Sequence, residues 1–311
     1  EINVEGKGID ILSFDTEIVG NLNSLYIRDR AYENIVLNGR LQPNYFKGEA
    51  WISDDDLELD FSGEVDFSND KPVMDFVANV VEADLVKLNL YNKEPVAKLS
   101  SLIEINLKGN DWSNIEGELG VYYTSLETSD NHHYYNDVLF ISEKLKEKDI
   151  LSFKSDFITA NLEGQIDVPN IFNSLLAYLN PHFPLLSGNS NHIQDFEFEL
   201  DFLNTSALTE FLIPKFNFEQ GTRFYGSFRN KGEGLKLSVE SPGFSWGKYS
   251  LNNLNLSALI REKDWVINLR GDKFHYDDST IIKNISLNQL GSYGASNYIL
   301  NWESSDSIKF E

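Results

Sequence analysis

The chain has 311 residues, 49 acidic against 26 basic side chains, a formal net charge of −23 and no cysteine. This charge repels phosphate groups, which excludes nucleic-acid binding through a basic surface, and the lack of cysteine excludes disulfides and thiol chemistry. An apolar fraction of 41% and an aromatic fraction of 13% suffice for a folded core, and aromatic residues favour strands.

Alternation of apolar and polar residues recurs along nearly the whole chain and predicts β-strands. The alternation is clearest in DDDLELDFSGEVDFS, residues 54–68, where apolar side chains stand at every second position from Leu57. The segments that carry it are 9–14, 33–42, 48–53, 57–67, 74–80, 101–109, 114–126, 150–168, 196–203, 222–230, 234–241, 251–261, 265–271, 281–290 and 297–304. The sequence therefore predicts an all-β chain whose strands each have one apolar and one polar face.

Turn residues separate these segments. The sequence predicts turns at Asn38-Gly39, at 68–70, at 109–111 and at the Arg-Gly-Asp sequence 270–272. The segment 127–149 is polar at both ends and predicts a loop-rich region.

Two segments with helical periodicity predict short helices, at 169–180 and 204–214. Pro169 stands where a proline fits the first turn of a helix, and Pro181 ends the helix. The Pro-, Gly- and Asn-containing stretch that follows predicts a division into two segments of one continuous sheet, 1–185 and 186–311.

A weak repeat, apolar-x-Gly-x-apolar, occurs at Gly63, Gly117, Gly164 and Gly226, each time on the apolar face of a predicted strand. One interpretation is a bend or bulge in a twisted sheet. The other is a gap in the apolar face that a ligand enters. The spacing is too irregular for a strict solenoid.

No motif for catalysis or metal binding stands out. His132 and His133 are adjacent and point to opposite faces of a strand, and Asp54-Asp55-Asp56 lacks the spacing of a calcium loop, so it is interpreted as a strand-entry turn. There is no Gly-rich phosphate loop and no GxSxG sequence. We therefore predict no catalytic residue, no metal site, no cofactor and no enzymatic activity.

The order of several segments resembles the middle of the TamB/AsmA-like envelope proteins. The segments are FKGEAWISDDDLELDFSGEVDFS, PVMDFVANVVEADLVKLNL, LSSLIEINLKGNDWSNIEGELGV and SDFITANLEGQIDVPNIFNSLLAYLNPHFP, within residues 35–185. The similarity continues more weakly through DFEFELDFLNTSALTEFLIPKF and TRFYGSFRNKGEGLKLSVESP.

This resemblance implies a function as well as a shape. Members of the family are anchored in the inner membrane of Gram-negative bacteria and cross the periplasm with a long curled antiparallel sheet, a half-pipe or β-taco. Its apolar groove is implicated in moving phospholipid to the outer membrane and in outer-membrane protein assembly, with a barrel protein as partner. The resemblance thus implies a non-enzymatic middle fragment whose partners are phospholipid acyl chains and, through parts outside this fragment, an outer-membrane barrel protein.

The apolar positions of the predicted strands would line such a groove. They are Leu57, Leu59, Phe61, Val65, Phe67, Met74, Phe76, Val80, Ile103, Ile105, Leu107, Leu119, Val121, Leu162, Ile166, Phe196, Phe198, Leu200, Phe202, Phe224, Phe228, Leu235, Leu237, Leu254, Leu256, Ile267 and Leu269.

Three other interpretations remain open from the sequence. A β-sandwich binding module for carbohydrate or protein would use the same alternation to build a closed core. An outer-membrane β-barrel suits alternation and acidity, although the helical segments count against it. An enzyme on a β scaffold would use paired carboxylates, which are unavoidable among so many acids.

Overall fold

A computed structural model describes residues 2–7, 14–27, 30–183, 188–204, 216–276, 280–292 and 295–304. The chain divides into two compact units, Glu1–Ser142 (unit 1) and Glu143–Glu311 (unit 2). The predicted division after residue 185 falls inside unit 2. Most described residues lie in antiparallel strands, which confirms the predicted all-β class.

Unit 1 is one antiparallel sheet in which β1 to β8 pair in chain order and β9 and β10 both pair with β8. Its strands are β1 (Ile2–Lys7), β2 (Asp15–Ile27), β3 (Arg30–Gln42), β4 (Tyr45–Asp54), β5 (Leu57–Asp66), β6 (Val73–Asp84), β7 (Ala97–Lys108), β8 (Glu116–Thr128), β9 (His132–Tyr135) and β10 (Val138–Lys144).

Unit 2 is also antiparallel, in the order β11-β12-β13-β15-β16-β17-β18-β19-β20, with β14 paired to the end of β16. Its strands are β11 (Asp149–Lys154), β12 (Ile158–Gln165), β13 (Asp195–Phe202), β14 (Phe216–Phe218), β15 (Thr222–Arg229), β16 (Gly234–Trp246), β17 (Tyr249–Ile260), β18 (Asp264–His275), β19 (Ile281–Ser292) and β20 (Ala295–Ser304).

One helix occurs in the described residues. A short 3-10 turn, Val168–Asn170, leads into α1, Ile171–Leu179, which confirms the helix predicted at 169–180. The helix predicted at 204–214 and the strand predicted at 9–14 lie almost entirely outside the described residues. The described part contains no helix with the length and apolar character needed to cross a membrane.

Side chains from several neighbouring strands of unit 2 converge on one cluster. Its buried members are Val239 of β16 and Leu251 and Leu254 of β17. Phe224 of β15 and Ile285 of β19 pack against them. A sheet curled toward this face brings strands β15 to β19 to a common cluster, in agreement with the predicted curled sheet.

The helix α1 packs across one end of the strands of unit 2. The ring of Tyr178 meets that of Phe228 edge to face at 5.5 Å between centroids, and His182, just after α1, meets Trp265 at 5.1 Å. Phe228 and Trp265 are buried. Because α1 presents apolar and aromatic side chains to the strand ends, it closes this end of the apolar face.

Two predicted turns are wrong. Asn38-Gly39 lies within β3, where Gly39 pairs with Gly48 of β4, and the chain turns instead at Asn44, which has φ +59°. The Arg-Gly-Asp sequence 270–272 lies within β18, where Gly271 is buried beside Leu251. β3 has thirteen residues and β18 has twelve. Each strand continues through a sequence that is typical of turns.

The predicted loop at 127–149 is also wrong. It contains β9 and β10, because the alternation continues at Val138 and Phe140 and gives β10 an apolar face. β10 pairs with β8, with Phe140 opposite Leu119.

Candidate functional site: the apolar face of the sheet

Strand register brings the apolar side chains of unit 1 onto one face, which we call the apolar face. Phe76 of β6 pairs with Ile105 of β7, Ile105 pairs with Leu119 of β8, and Leu119 pairs with Phe140 of β10. The neighbouring rows run parallel to this one, since each strand places every second residue on the same face. The predicted alternation therefore becomes a continuous apolar row across the four strands β6, β7, β8 and β10.

The predicted groove-lining residues differ in exposure. Phe67, which follows the last residue of β5, is 52% exposed. The buried ones are Leu107, Ile166, Phe196, Phe228, Leu235 and Leu254. The half-buried ones are Leu57, Leu59, Phe61, Val65, Met74, Phe76, Val80, Ile103, Ile105, Leu119, Val121, Leu162, Phe198, Leu200, Phe202, Phe224, Leu237, Leu256, Ile267 and Leu269.

Three phenylalanines form a ladder of rings on the apolar face of unit 1. Phe46 of β4 and Phe61 of β5 have ring centroids 5.8 Å apart, and Phe61 and Phe76 are 5.0 Å apart, all tilted. Such tilted pairs are favourable beyond the area that they bury. The ladder is part of the apolar face and leaves each ring half-buried.

Glycines in neighbouring strands pair with one another beside this ladder. Gly39 pairs with Gly48, and Gly48 with Gly63, which in turn pairs with Phe76. A Cβ added at any of these three glycines would lie within 3 Å of backbone atoms of the adjacent strand, and so would one at Gly117, Gly164 or Gly226. The close approach of strands supports the interpretation of the repeat as a bend in the sheet.

The apolar face of unit 1 has no helix over it in the described residues. From residue 30 to residue 142 every regular element is a strand. The lining residues of β5 to β8 are consequently half-buried rather than buried, apart from Leu107. A broad apolar face of half-buried side chains, with no helix over it in the described residues, is a candidate binding surface.

The apolar face of unit 2 is filled by its own side chains in two places. At one end α1 covers Phe228, and Leu235 and Ile260 nearby are also buried. Farther along the strands lies the cluster around Val239, Leu251 and Leu254. The apolar face of unit 2 is thus filled near α1 and around this cluster, whereas Tyr298 and Leu300 of β20 on the same face are 72% and 49% exposed.

Several apolar-face residues are not among the groove-lining residues that the sequence predicts. They are Ile35, Phe46, Phe140, Val239, Leu251, Ile260 and Trp265. Leu251 and Leu254 reach the same cluster although they are three positions apart, because Asn253 between them has φ +52° and interrupts the alternation. Asn34 and Asn284 have the same conformation in β3 and β19. An asparagine inside an alternating segment is the sequence signal for such an interruption of the alternation.

The polar faces carry ion pairs and shallow depressions. Arg223 of β15 pairs with Glu199 and, at 2.7 Å, with Asp201, both on β13. A depression of about 400 Å³ on the polar face of unit 1 is lined by Asp75, Glu104, Glu118 and Tyr122, among others. Burial raises the pKa of the Tyr122 hydroxyl, and the nearby carboxylates raise it further.

One end of unit 1 holds a cluster of charges around Arg30. Its guanidinium contacts Asp54 at 3.0 Å and Asp56 at 2.7 Å and donates to the carbonyl oxygen of Lys87 at 2.8 Å. The ammonium of Lys87 pairs with Asp56 at 2.7 Å. The cluster ties the β4–β5 turn to the loop after β6, which confirms the acidic triplet as a strand-entry turn.

Asp54 and Asp56 are both held ionised by this cluster. Hydrogen bonds from Lys87 and then Arg30 lower the pKa of Asp56. Burial opposes ionisation of Asp54, but backbone N–H groups of Asp56 and Glu33 together with Arg30 keep its pKa below the ordinary value. All the charges are mutually compensated, so the cluster is a structural clamp.

The described residues include no group of three or more His, Cys, Asp or Glu side chains that could hold a metal ion. Comparison with protein-family models, curated proteins and solved structures finds no match for the chain. The resemblance to TamB/AsmA-like proteins therefore stays a prediction.

Proposed function

We propose that the chain is a non-enzymatic envelope protein that binds the acyl chains of phospholipids along the apolar face of its sheet. The observation that carries the proposal is the apolar face of unit 1, where the rows through Phe61, Phe76 and Ile105 are half-buried and no helix lies over them in the described residues. An elongated apolar face matches the shape and the chemistry of an acyl chain.

Transfer energetics supply the mechanism. Moving an acyl chain from an apolar environment into water costs about 0.8 kcal/mol per CH2 group. A continuous apolar face removes most of that cost, because each methylene group leaves one apolar contact only as it gains the next. The charged headgroup would stay in water, on the side where the strands end or the sheet opens.

The cellular setting is part of the same proposal. The protein would act in the periplasm of a Gram-negative bacterium, as part of a longer protein anchored in the inner membrane. It would carry phospholipid toward the outer membrane and support outer-membrane biogenesis, with a barrel protein as partner of other parts. The resemblance of the sequence to TamB/AsmA-like proteins supports this setting.

The proposal is tested by the transfer of a fluorescent phospholipid between donor and acceptor vesicles in the presence of the purified chain. Ile105→Asp places a charge in the middle of an apolar row and should abolish transfer. Val77→Asp is the matched control, because Val77 lies on the polar face of β6, opposite Glu104, and is 43% exposed. It should transfer as the wild type does.

Phe61→Arg provides a second, independent substitution on the apolar face. Circular dichroism and thermal unfolding establish that each variant is folded before transfer is compared. Full transfer by a folded Ile105→Asp or Phe61→Arg protein would contradict the proposed mechanism, and so would an equal loss in Val77→Asp.

A further inference from the structure

The hairpin formed by β16 and β17 ends in a tip that projects into solvent. Trp246, the last residue of β16, pairs with Tyr249, the first residue of β17, across the turn Gly247-Lys248. Gly247 has φ +60°, and a Cβ added there would meet no atom within 4 Å. The turn therefore has open space around Gly247 at its outer side.

Aromatic side chains are concentrated at this tip. Trp246 is 63% exposed and Tyr276, which follows β18, is 46% exposed. The rings of Tyr249 and Tyr276 lie 5.4 Å apart, and the Lys248 ammonium stands 5.3 Å and 4.8 Å from their centroids. We call Trp246, Lys248, Tyr249 and Tyr276 the aromatic tip.

The aromatic tip carries one positive charge, on Lys248, while Asp277 and Asp278 follow Tyr276 in the sequence. Lys248 forms no ion pair with the residues that the structure describes. Exposing a tryptophan and a tyrosine to water is unfavourable. The same side chains are enriched where a protein meets the headgroup level of a bilayer, and lysine is favourable there because its ammonium contacts lipid phosphate.

The aromatic tip also continues the apolar face of unit 2. Tyr249 stacks on Phe274 with ring centroids 6.2 Å apart, and Phe274 packs against the cluster that contains Leu251. The tip lies at the ends of the strands opposite to α1 and the residues just after it, where Tyr178 meets Phe228 and His182 meets Trp265. The apolar face of unit 2 is therefore accessible at the aromatic tip, whereas α1 covers it at the other end.

We propose that the aromatic tip docks onto the surface of a phospholipid bilayer, with the three rings at the headgroup level and Lys248 on lipid phosphate. This inference goes beyond acyl-chain binding, since docking needs only the tip. The large negative charge of the whole chain makes a zwitterionic bilayer the preferred surface, because anionic lipids repel the protein at low salt.

The test is flotation of the whole chain with phosphatidylcholine vesicles, compared among variants with one tryptophan removed. Trp246→Ala should lower the vesicle partition coefficient about tenfold. Trp112→Ala is the matched control, since Trp112 is 58% exposed in the loop between β7 and β8 of unit 1 and is not part of the aromatic tip. It should bind vesicles within a factor of about two of the wild type.

Charge and salt give a second readout. Lys248→Glu should weaken vesicle binding, and replacing part of the phosphatidylcholine by phosphatidylglycerol should weaken binding of the wild type at low salt but not at high salt. Ile105→Asp should still bind vesicles, so that a failure of acyl-chain transfer and a failure of docking are distinguished. The inference would be overturned if the wild type did not bind vesicles, or if Trp246→Ala bound them as strongly as the wild type. The aromatic tip would then be a candidate contact for a protein partner.

Discussion

Gly63 of β5 lies directly opposite Phe76 of β6, so close that a Cβ on Gly63 would stand 2.5 Å from the Cβ of Phe76. It would also stand 2.3 Å from the carbonyl oxygen of Asp75, and Gly63 has φ +147°. The two strands approach this closely only because position 63 has no side chain. The approach places the Phe76 ring 5.0 Å from that of Phe61.

Substitution Gly63→Ala should therefore destabilise the protein by about 3 kcal/mol, because it adds both backbone strain and a clash with backbone atoms. Gly247→Ala is the control. It has a positive φ but open space around it, and should cost about 1 kcal/mol. Urea unfolding of both variants measures the difference, and similar midpoints would show that the close approach of β5 and β6 is not required.

Gln194 joins α1 to the sheet of unit 2. It is fully buried, accepts a hydrogen bond from the backbone N–H of Asp167 at 3.1 Å and donates to the carbonyl oxygen of Asp167 at 3.0 Å. Gln194→Ala leaves these backbone groups unsatisfied and should cost about 3 kcal/mol in unfolding free energy.

Gln289→Ala serves as the comparison for Gln194→Ala. The Gln289 side chain bonds the hydroxyl of Ser296 at 3.0 Å on the exposed part of the sheet, so its removal should cost less than about 0.5 kcal/mol. Differential scanning calorimetry of both variants measures the two effects. A melting temperature for Gln194→Ala equal to that of Gln289→Ala would contradict the assigned role.

The Arg30 cluster predicts a pH dependence of stability. Because folding lowers the pKa of Asp54 and of Asp56, the unfolded state binds more protons in acid. The stabilisation that ionised Asp54 and Asp56 contribute is complete above about pH 4. It is lost as the pH falls through the lowered pKa values of these two side chains. Arg30→Met should cost about 2 kcal/mol at pH 7, and the deficit should shrink below about pH 3.

Arg40→Met is the control for this pH dependence. Arg40 pairs with Asp15 at 2.6 Å, but both side chains are about half exposed, and exposed pairs contribute little. Urea unfolding from pH 2 to pH 8 should show the same curve for Arg40→Met as for the wild type. A deficit of Arg30→Met that stays constant down to pH 2 would contradict the assignment to Asp54 and Asp56.

The face of most strands could be predicted from the sequence because the side-chain period of a strand is two. Alternation alone places Leu57, Leu59 and Phe61 on one face, and register puts them on the face that carries Ile105. The prediction holds wherever a strand keeps its alternation, since burial of one face fixes the register.

Long strands and backbone irregularities account for what the sequence did not predict. Asn38-Gly39 is typical of a turn, yet Gly39 is needed for the close approach to Gly48 inside β3. Asn253 changes the face on which the following residues lie, so the predicted lining contains Leu254 but not Leu251. Coverage of Phe228 by Tyr178 of α1 depends on tertiary packing, which local periodicity does not encode.

The measurement that tests acyl-chain binding most directly is native mass spectrometry, with lipid extraction, of the chain purified from a Gram-negative host without detergent. We expect phospholipid bound to the wild type and to Val77→Asp, and none bound to folded Ile105→Asp. A wild-type protein free of lipid, or Ile105→Asp carrying as much phospholipid as the wild type, would contradict the proposal that the apolar face binds acyl chains.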